Sequence, residues 1–184
     1  MSAGVTTPMI APMTTPMITR RHVSGGVESL AVYSGDEAHR FELTRRWGDG
    51  AGVLFIMLNP SKATEAANDP TVERCEQRAR RWGYPAFTVA NVFAFRATLP
   101  ADLKRSADPV GAGNDLVLTA LARQAGRVIC AWGVHGAHQG PGAAVEALLR
   151  GEGRGLWHLG LTKDGHPRHP LYLGYDRQTE PWGQ

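Results

Sequence analysis

The amino-acid sequence predicts an α/β protein: a three-layer α/β/α sandwich on a central four-stranded parallel sheet, preceded by a β-hairpin. Three observations predict this fold class. The chain has 184 residues, the length of one ordinary domain. Its 42% hydrophobic and 20% charged residues are typical of a globular protein with one core. Short apolar runs alternate with amphipathic segments, and this alternation favours parallel strands covered by helices on both faces.

The N-terminal segment differs in composition from the rest. The pentapeptide TTPMI occurs twice within residues 1–22, and Pro recurs between the copies. A Thr/Pro/Met-rich segment of this kind cannot bury a continuous face, so we expect a disordered extension there. It also lacks the early basic region and continuous apolar stretch of a secretory signal. A single α/β domain is expected over 23–175, followed by a C-terminal tail over 176–184.

The first elements have clear local signals. Alternating apolar and polar residues over 29–34 and 39–47 predict the hairpin. The run VLFIML over 53–58 is typical of a strand buried on both faces. Asp69 suits an N-cap and Pro70 the first helical position, so a helix is expected from there to Gly83.

The alternation continues to the end of the domain. Strands are predicted over 86–95, 127–133 and 155–161, and helices over 114–126 and 141–153, with a loop over 96–113. Ligands of such sheets bind beyond the carboxyl ends of the strands. The residues expected at that edge are Asn59, Ser61, Asn91, Phe93, Arg96, Trp132, Lys163, Asp164, His166, Arg168 and His169.

Several functional classes are disfavoured by what the sequence lacks. No apolar run approaches the ~20 residues that span a bilayer, so no membrane association is expected. Cys75 and Cys130 are too few for a disulfide scaffold or an iron–sulfur cluster, which favours a reducing, cytoplasmic location. Neither a Gly-rich dinucleotide fingerprint nor a Gly-x-Ser-x-Gly elbow occurs. A net charge of +3 and a pI near 9.1 are compatible with nucleic-acid or phosphate partners.

Two histidine pairs have spacings compatible with metal binding, His135/His138 and His166/His169. Each pair offers two ligands and no evident third. We therefore expect structural or solvent-exposed histidines, with no metal and no cofactor.

The strand ends resemble the uracil-DNA glycosylase superfamily. Leu58-Asn59-Pro60-Ser61 is similar to its first motif, a hydrophobic strand that ends in Asn-Pro or Asp-Pro. Val89-Ala90-Asn91-Val92-Phe93 looks like its second strand, and Ala131-Trp132-Gly133 like its third. His169-Pro170-Leu171 is similar to its closing His-Pro motif. These matches follow the order of the predicted alternation, although the four iron–sulfur cysteines of some branches are absent.

A second resemblance is more specific. From Ala31 onward the chain resembles a bacterial family catalogued as a domain of unknown function, number 1643. The shared segments include MLNPS, RRWG, NVFAFRAT, AWG and TKDGHPRHPLYL. This family implies no activity.

The glycosylase resemblance implies a nucleobase pocket that hydrolyses the N-glycosidic bond of a damaged or modified base in DNA, as in DNA repair. Asn59 would position water or fix a base edge, and His169, or else His166, would donate a hydrogen bond as charge develops on the base. Phe93 and Trp132 could provide a stacking platform or simply pack in the core. The remaining substrate-binding candidates are Ser61, Asn91, Arg96, Lys163, Asp164, His166 and Arg168.

Two other functions stay open. The protein could act on a free nucleoside or nucleotide, or it could bind modified nucleic acid without catalysis. Asn59 by itself is also a common strand terminator, because the residue before Pro avoids the helical region. A wide basic groove would favour a polymer, whereas a closed small pocket would favour a small molecule.

Overall fold

The computed structural model describes residues 16–137 and 140–183. In this part of the chain, eight strands form one mixed sheet with four α-helices. The strands are β1 (Met17–Ser24), β2 (Val27–Ser34), β3 (Arg40–Arg46), β4 (Val53–Met57), β5 (Ala86–Asn91), β6 (Arg127–Cys130), β7 (Leu156–His158) and β8 (Glu180–Pro181). The helices are α1 (Pro70–Arg81), α2 (Pro100–Arg105), α3 (Asn114–Gln124) and α4 (Pro141–Gly151).

The sheet has the order β1-β2-β3-β5-β4-β6-β7-β8. Neighbours from β5 to β7 pair in parallel, whereas β1, β2 and β3 form an antiparallel meander. The expectation of a four-stranded sheet with a separate hairpin is therefore corrected. β3 pairs antiparallel with β5, with Leu43 opposite Val89, so the meander continues the same sheet. This pairing gives hydrogen-bond partners to backbone groups that would otherwise lie on an open edge of β5.

Both termini of the described chain also belong to the sheet. β1 includes residues 17–22, which the sequence assigned to an extension, and residues 1–15 of that extension lie outside the described residues. β8 lies within the segment expected to be a tail, and it pairs with β7. Most of β1 is exposed and β8 has only two residues, so neither shows an apolar alternation. Backbone hydrogen bonds to the neighbouring strands hold β1 and β8 in the sheet, and the side-chain pattern of these segments does not indicate that pairing.

Helices cover both faces of the sheet, which gives three layers. On one face, Val72 and Cys75 of α1 pack with Phe55. On the other, Leu118 of α3 and Leu149 of α4 pack with β4 and β6 side chains. All five residues of β4 are buried, as its apolar run predicts. Burial of each large side chain contributes roughly 1.5–3 kcal/mol, so β4 is the centre of the stabilising core.

Local signals predict the long helices well and the strand ends poorly. Asp69 is the N-cap of α1, and its Oδ1 accepts from the backbone N–H groups of Thr71 and Val72 at 3.0 and 2.9 Å. By contrast, α2 lies in the expected loop, because six residues are too few to show a helical period. The strand expected over 86–95 ends at Asn91, and those over 127–133 and 155–161 end at Cys130 and His158. No helix of the described chain has the length and apolar character needed to cross a membrane.

Candidate functional site

A cavity of about 520 Å³ opens at the carboxyl end of β4. Its other walls come from the segments that follow β6 and β7 and from the N-terminus of α1. Parallel strands present their carboxyl ends at one edge of a sheet, which explains why segments far apart in sequence meet here. The lining residues are Arg40, Met57, Leu58, Asn59, Ser61, Asp69, Thr71, Val72, Ala97, Thr98, Trp132, Gly133, Val134, His135, Thr162, Arg168, His169, Tyr172 and Leu173.

Five of the sequence-predicted site residues line this cavity. They come from three separate segments of the chain, and they include both residues expected to be catalytic. The five are Asn59, Ser61, Trp132, Arg168 and His169.

Asn91, Phe93 and Arg96 do not line the cavity, contrary to expectation. Asn91, the last residue of β5, and Phe93, two residues beyond it, are 1% and 3% exposed, and Phe93 packs in the core next to α3 and α4. Both side chains are therefore buried inside the protein. Arg96 donates to the Glu37 carbonyl at 3.1 Å, and its guanidinium carbon lies 5.3 Å from the centroid of the Tyr33 ring.

Lys163, Asp164 and His166 also lie outside the cavity lining. They belong to a turn that is closed by a 2.9 Å hydrogen bond from the Thr162 N–H to the His166 carbonyl. An antiparallel bridge between Leu161 and Pro167 supports the same turn. This turn carries the three side chains past the sheet edge, and the chain returns to the cavity only at Arg168.

The side-chain amide of Asn59 is held in one orientation. Its Nδ2 donates to the Ala97 carbonyl at 2.7 Å and to the Pro60 carbonyl at 2.9 Å. The Ala97 N–H donates back to Pro60 at 3.0 Å, so the loops after β4 and β5 are joined here. With both amide protons engaged, Asn59 offers its Oδ1 as an acceptor for a ligand N–H or a water.

His169 is the second fixed polar group. Its Nδ1 accepts from the Leu171 backbone N–H at 3.3 Å, which places the proton of the neutral ring on Nε2. Burial lowers the His169 pKa to about 4, while the negative charge of Asp69 acts in the opposite direction. His169 is therefore neutral at pH 7 and can donate from Nε2.

Two charged lining residues were not recognised as site residues from the sequence. The sequence identifies Asp69 only as an N-cap, and the residue also lines the cavity. Arg40 lies on β3, is 2% exposed, and donates through Nη1 to the Ala63 carbonyl. A site role for Arg40 could not be read from sequence, because β3 was expected in a hairpin apart from the sheet. A site role for Asp69 could have been predicted from sequence, because it is an acidic residue at the start of the helix that follows the Asn-Pro strand end.

Arginine side chains hold two segments that border the cavity through long-range hydrogen bonds. Arg45 of β3 donates to the Thr64 carbonyl at 2.5 Å and to Asn68 Oδ1 at 3.2 Å, which fixes the loop before α1. On the opposite wall, Arg74 and Arg78 of α1 both donate to the Leu173 carbonyl at 3.0 Å. Long-range contacts therefore add to the local hydrogen bonds that build the cavity walls.

Trp132 forms the apolar back of the cavity. It is 3% exposed, and its ring centroid lies 5.7 Å from that of Trp182. Two glycines make room for it: a Cβ at Gly136 would lie 2.1 Å from Trp132 Cδ1, and one at Gly142 would lie 2.6 Å from Nε1. Trp132 is therefore a core residue that also lines the cavity.

The histidine pairs do not form a cluster in the part of the chain that the structure describes. No group of three or more His, Cys, Asp or Glu residues able to hold a metal occurs among these residues. His169 lines the cavity and His166 does not, so this pair does not converge on it. His138 lies outside the described residues, and with it the expected pair with His135.

Comparison with known proteins identifies one family. The family described as "Protein of unknown function (DUF1643)" matches residues 40–171, a range that includes the cavity residues from Arg40 to His169. No curated protein and no solved structure matches the chain. These comparisons lend no support to the resemblance to the uracil-DNA glycosylase superfamily.

Proposed function

Since the chain belongs to the family DUF1643, whose description names no activity, we propose a function from the cavity: it binds a nucleobase and hydrolyses the N-glycosidic bond of a damaged or modified base in DNA. One observation carries this proposal. Asn59, Asp69 and His169, an acceptor, a carboxylate and a neutral imidazole donor, line one cavity at the carboxyl edge of parallel strands.

The shape and chemistry of the cavity suit a planar heterocycle. A volume of about 520 Å³ lies within the range of small-ligand sites, roughly 300–1,000 Å³. Trp132, Val72 and Leu173 supply apolar surface, and only a few polar groups converge on the space. A nucleobase has this combination of flat apolar faces and polar edges.

The three polar residues fit the demands of glycosidic hydrolysis. As the C1′–N bond breaks, its electron pair passes to the base and the sugar becomes an oxocarbenium ion. His169 Nε2–H would stabilise the negative charge that develops on the base. Asp69 would stabilise the sugar cation and take a proton from the water whose oxygen bonds to C1′. Asn59 Oδ1 would accept from the base or from that water.

The test is release of free base from oligonucleotides that carry a panel of damaged and modified bases, with the corresponding free nucleosides as a second arm. Asn59→Ala and His169→Ala should each reduce turnover by about 10²–10³. The matched control is His166→Ala, a histidine three residues from His169 that does not line the cavity, and it should keep wild-type turnover.

The outcomes separate the candidate functions. Release from oligonucleotides supports the proposal, and release from free nucleosides alone favours the small-molecule alternative. If the wild-type protein releases no base from either substrate class, the proposed activity is wrong. If His166→Ala is as impaired as His169→Ala, the assignment of the donor to His169 is wrong.

A further inference from the structure

Arg40 places a positive charge inside the cavity wall. Its side chain is 2% exposed, and Nη1 is engaged by the Ala63 carbonyl. Nε is closed off from solvent with no partner among the described residues. Nη2 also has no hydrogen-bond partner among the described residues, but unlike Nε it is not closed off from solvent. Because Arg40 lines the cavity, we take Nη2 as the guanidinium nitrogen that is available to a ligand.

The charge on Arg40 is retained at neutral pH. Burial lowers its pKa to about 10, and the nearby Tyr33 and Asp69 oppose that shift. No carboxylate oxygen of the described residues lies within ion-pair distance of its guanidinium. A buried charge with unsatisfied donors is unfavourable, so a ligand that supplies an acceptor gains from meeting it.

We propose that Arg40 determines which bases the cavity accepts: Nη2 donates to a ring carbonyl oxygen, so the site takes bases of the oxo type and rejects their amino counterparts. This inference rests on the proposed function, since it assumes that the ligand is a nucleobase. It assigns a specificity role to a residue on β3, outside the strand ends where the sequence motifs lie.

The direction of the selection follows from the donor inventory of the side chain. A guanidinium has only N–H donors and cannot accept. A carbonyl oxygen opposite Nη2 completes a charge-assisted hydrogen bond. An exocyclic amino group at the same place brings two donors together and leaves both unsatisfied. The penalty falls on the amino base whether or not catalysis follows.

Equilibrium binding of matched nucleosides to the full-length protein, wild type and Arg40→Met, tests this. Inosine and adenosine differ in one exocyclic group, oxygen against amino, and in the adjacent ring nitrogen, which carries a proton only in inosine; uridine and cytidine form a second such pair. Because an acceptor such as Asn59 Oδ1 also favours the ring N–H, the Arg40→Met comparison is what assigns the preference to Arg40. The oxo member of each pair should bind about 10- to 100-fold more tightly by isothermal titration calorimetry. Arg40→Met should bring the two dissociation constants of each pair close together. Arg46→Met, on the same strand with its guanidinium on the Gly48 and Gly50 carbonyls, should keep the wild-type preference.

Each result decides something. Tighter binding of inosine and uridine, lost in Arg40→Met and kept in Arg46→Met, supports the proposal. If all four nucleosides bind wild-type protein without preference, or the amino members bind better, the role of Arg40 is wrong while the nucleobase pocket stands. If none binds, the nucleobase pocket fails and this inference fails with it. If Arg40→Met keeps the wild-type preference, the role of Arg40 is wrong. If Arg40→Met does not fold, Arg40→Gln takes its place; its side-chain amide can donate or accept, so it should likewise bring the two dissociation constants of each pair together.

Discussion

Replacing Arg78 with Met should destabilise the protein far more than replacing Arg81 with Met. Both arginines lie on α1, and both guanidinium carbons lie over the Tyr175 ring, at 5.2 and 4.4 Å. They differ in what else they do. Arg78 is 0% exposed and donates to the Leu173 and Gly174 carbonyls at 3.0 and 2.8 Å, whereas Arg81 is exposed. The pair therefore isolates the buried carbonyl contacts from the cation–π contact.

The magnitude follows from the bonds that are lost. Two hydrogen bonds from a charged donor are worth roughly 1.5–3 kcal/mol each. Leu173 keeps a partner in Arg74, and Gly174 is exposed enough for water to replace the other bond. Removing a buried charge also returns part of its desolvation cost. We therefore expect a net loss of about 2–3 kcal/mol for Arg78→Met.

Thermal unfolding followed by circular dichroism measures this difference. For a domain of this size each kcal/mol lowers the Tm by roughly 2–4 °C, so Arg78→Met should unfold about 4–12 °C below wild type. The free energy of unfolding of Arg81→Met should be lower than that of wild type by no more than about 0.5–1 kcal/mol, the value of an exposed cation–π contact. Equal Tm values for the two variants would refute the view that Arg78 anchors the C-terminal wall of the cavity.

Three further predictions concern the titration of His169, the reactivity of the two thiols and the metal content of the protein. Because the His169 pKa is lowered from 6.5 to about 4 by burial, the unfolded chain binds more protons between these values. The contribution of His169 to the free energy of unfolding should therefore be complete above about pH 6.5 and be lost progressively down to pH 4. Urea unfolding of the wild type and of His169→Gln measures this: the difference between their free energies of unfolding should shrink over that interval. Burial raises the pKa of Cys75 and of Cys130, so neither thiol should react with a disulfide reagent at pH 8 until denaturant is added; rapid labelling of the native protein would contradict their burial. Protein purified without chelator should contain no stoichiometric zinc, iron or manganese by elemental analysis, and metal lost on His135→Ala would revive the metal hypothesis.

The position of the candidate site could be predicted to a useful extent, and its composition only in part. Asn59 and His169 follow buried strands, and strand ends of a parallel sheet share one edge wherever their exact bounds lie. That argument needs no side-chain detail. It fails for Asn91 and Phe93, because both side chains at the end of β5 are buried, and a sequence does not show which way side chains point where a strand leaves the sheet.

The sequence alone determined the features that depend on neighbouring residues. The apolar run of β4, the Asp69-Pro70 start of α1 and the alternation of strands with helices are local, and they define the α/β class. Tertiary structure decided what depends on backbone pairing over long distances. Pairing of β3 with β5 made one eight-stranded sheet and brought Arg40 to the cavity, although no local pattern distinguishes that arginine from its neighbours on the strand. The physical reason is that hydrogen bonds between strands use the main chain, which is the same at every residue, so the pattern of side chains cannot specify them by itself.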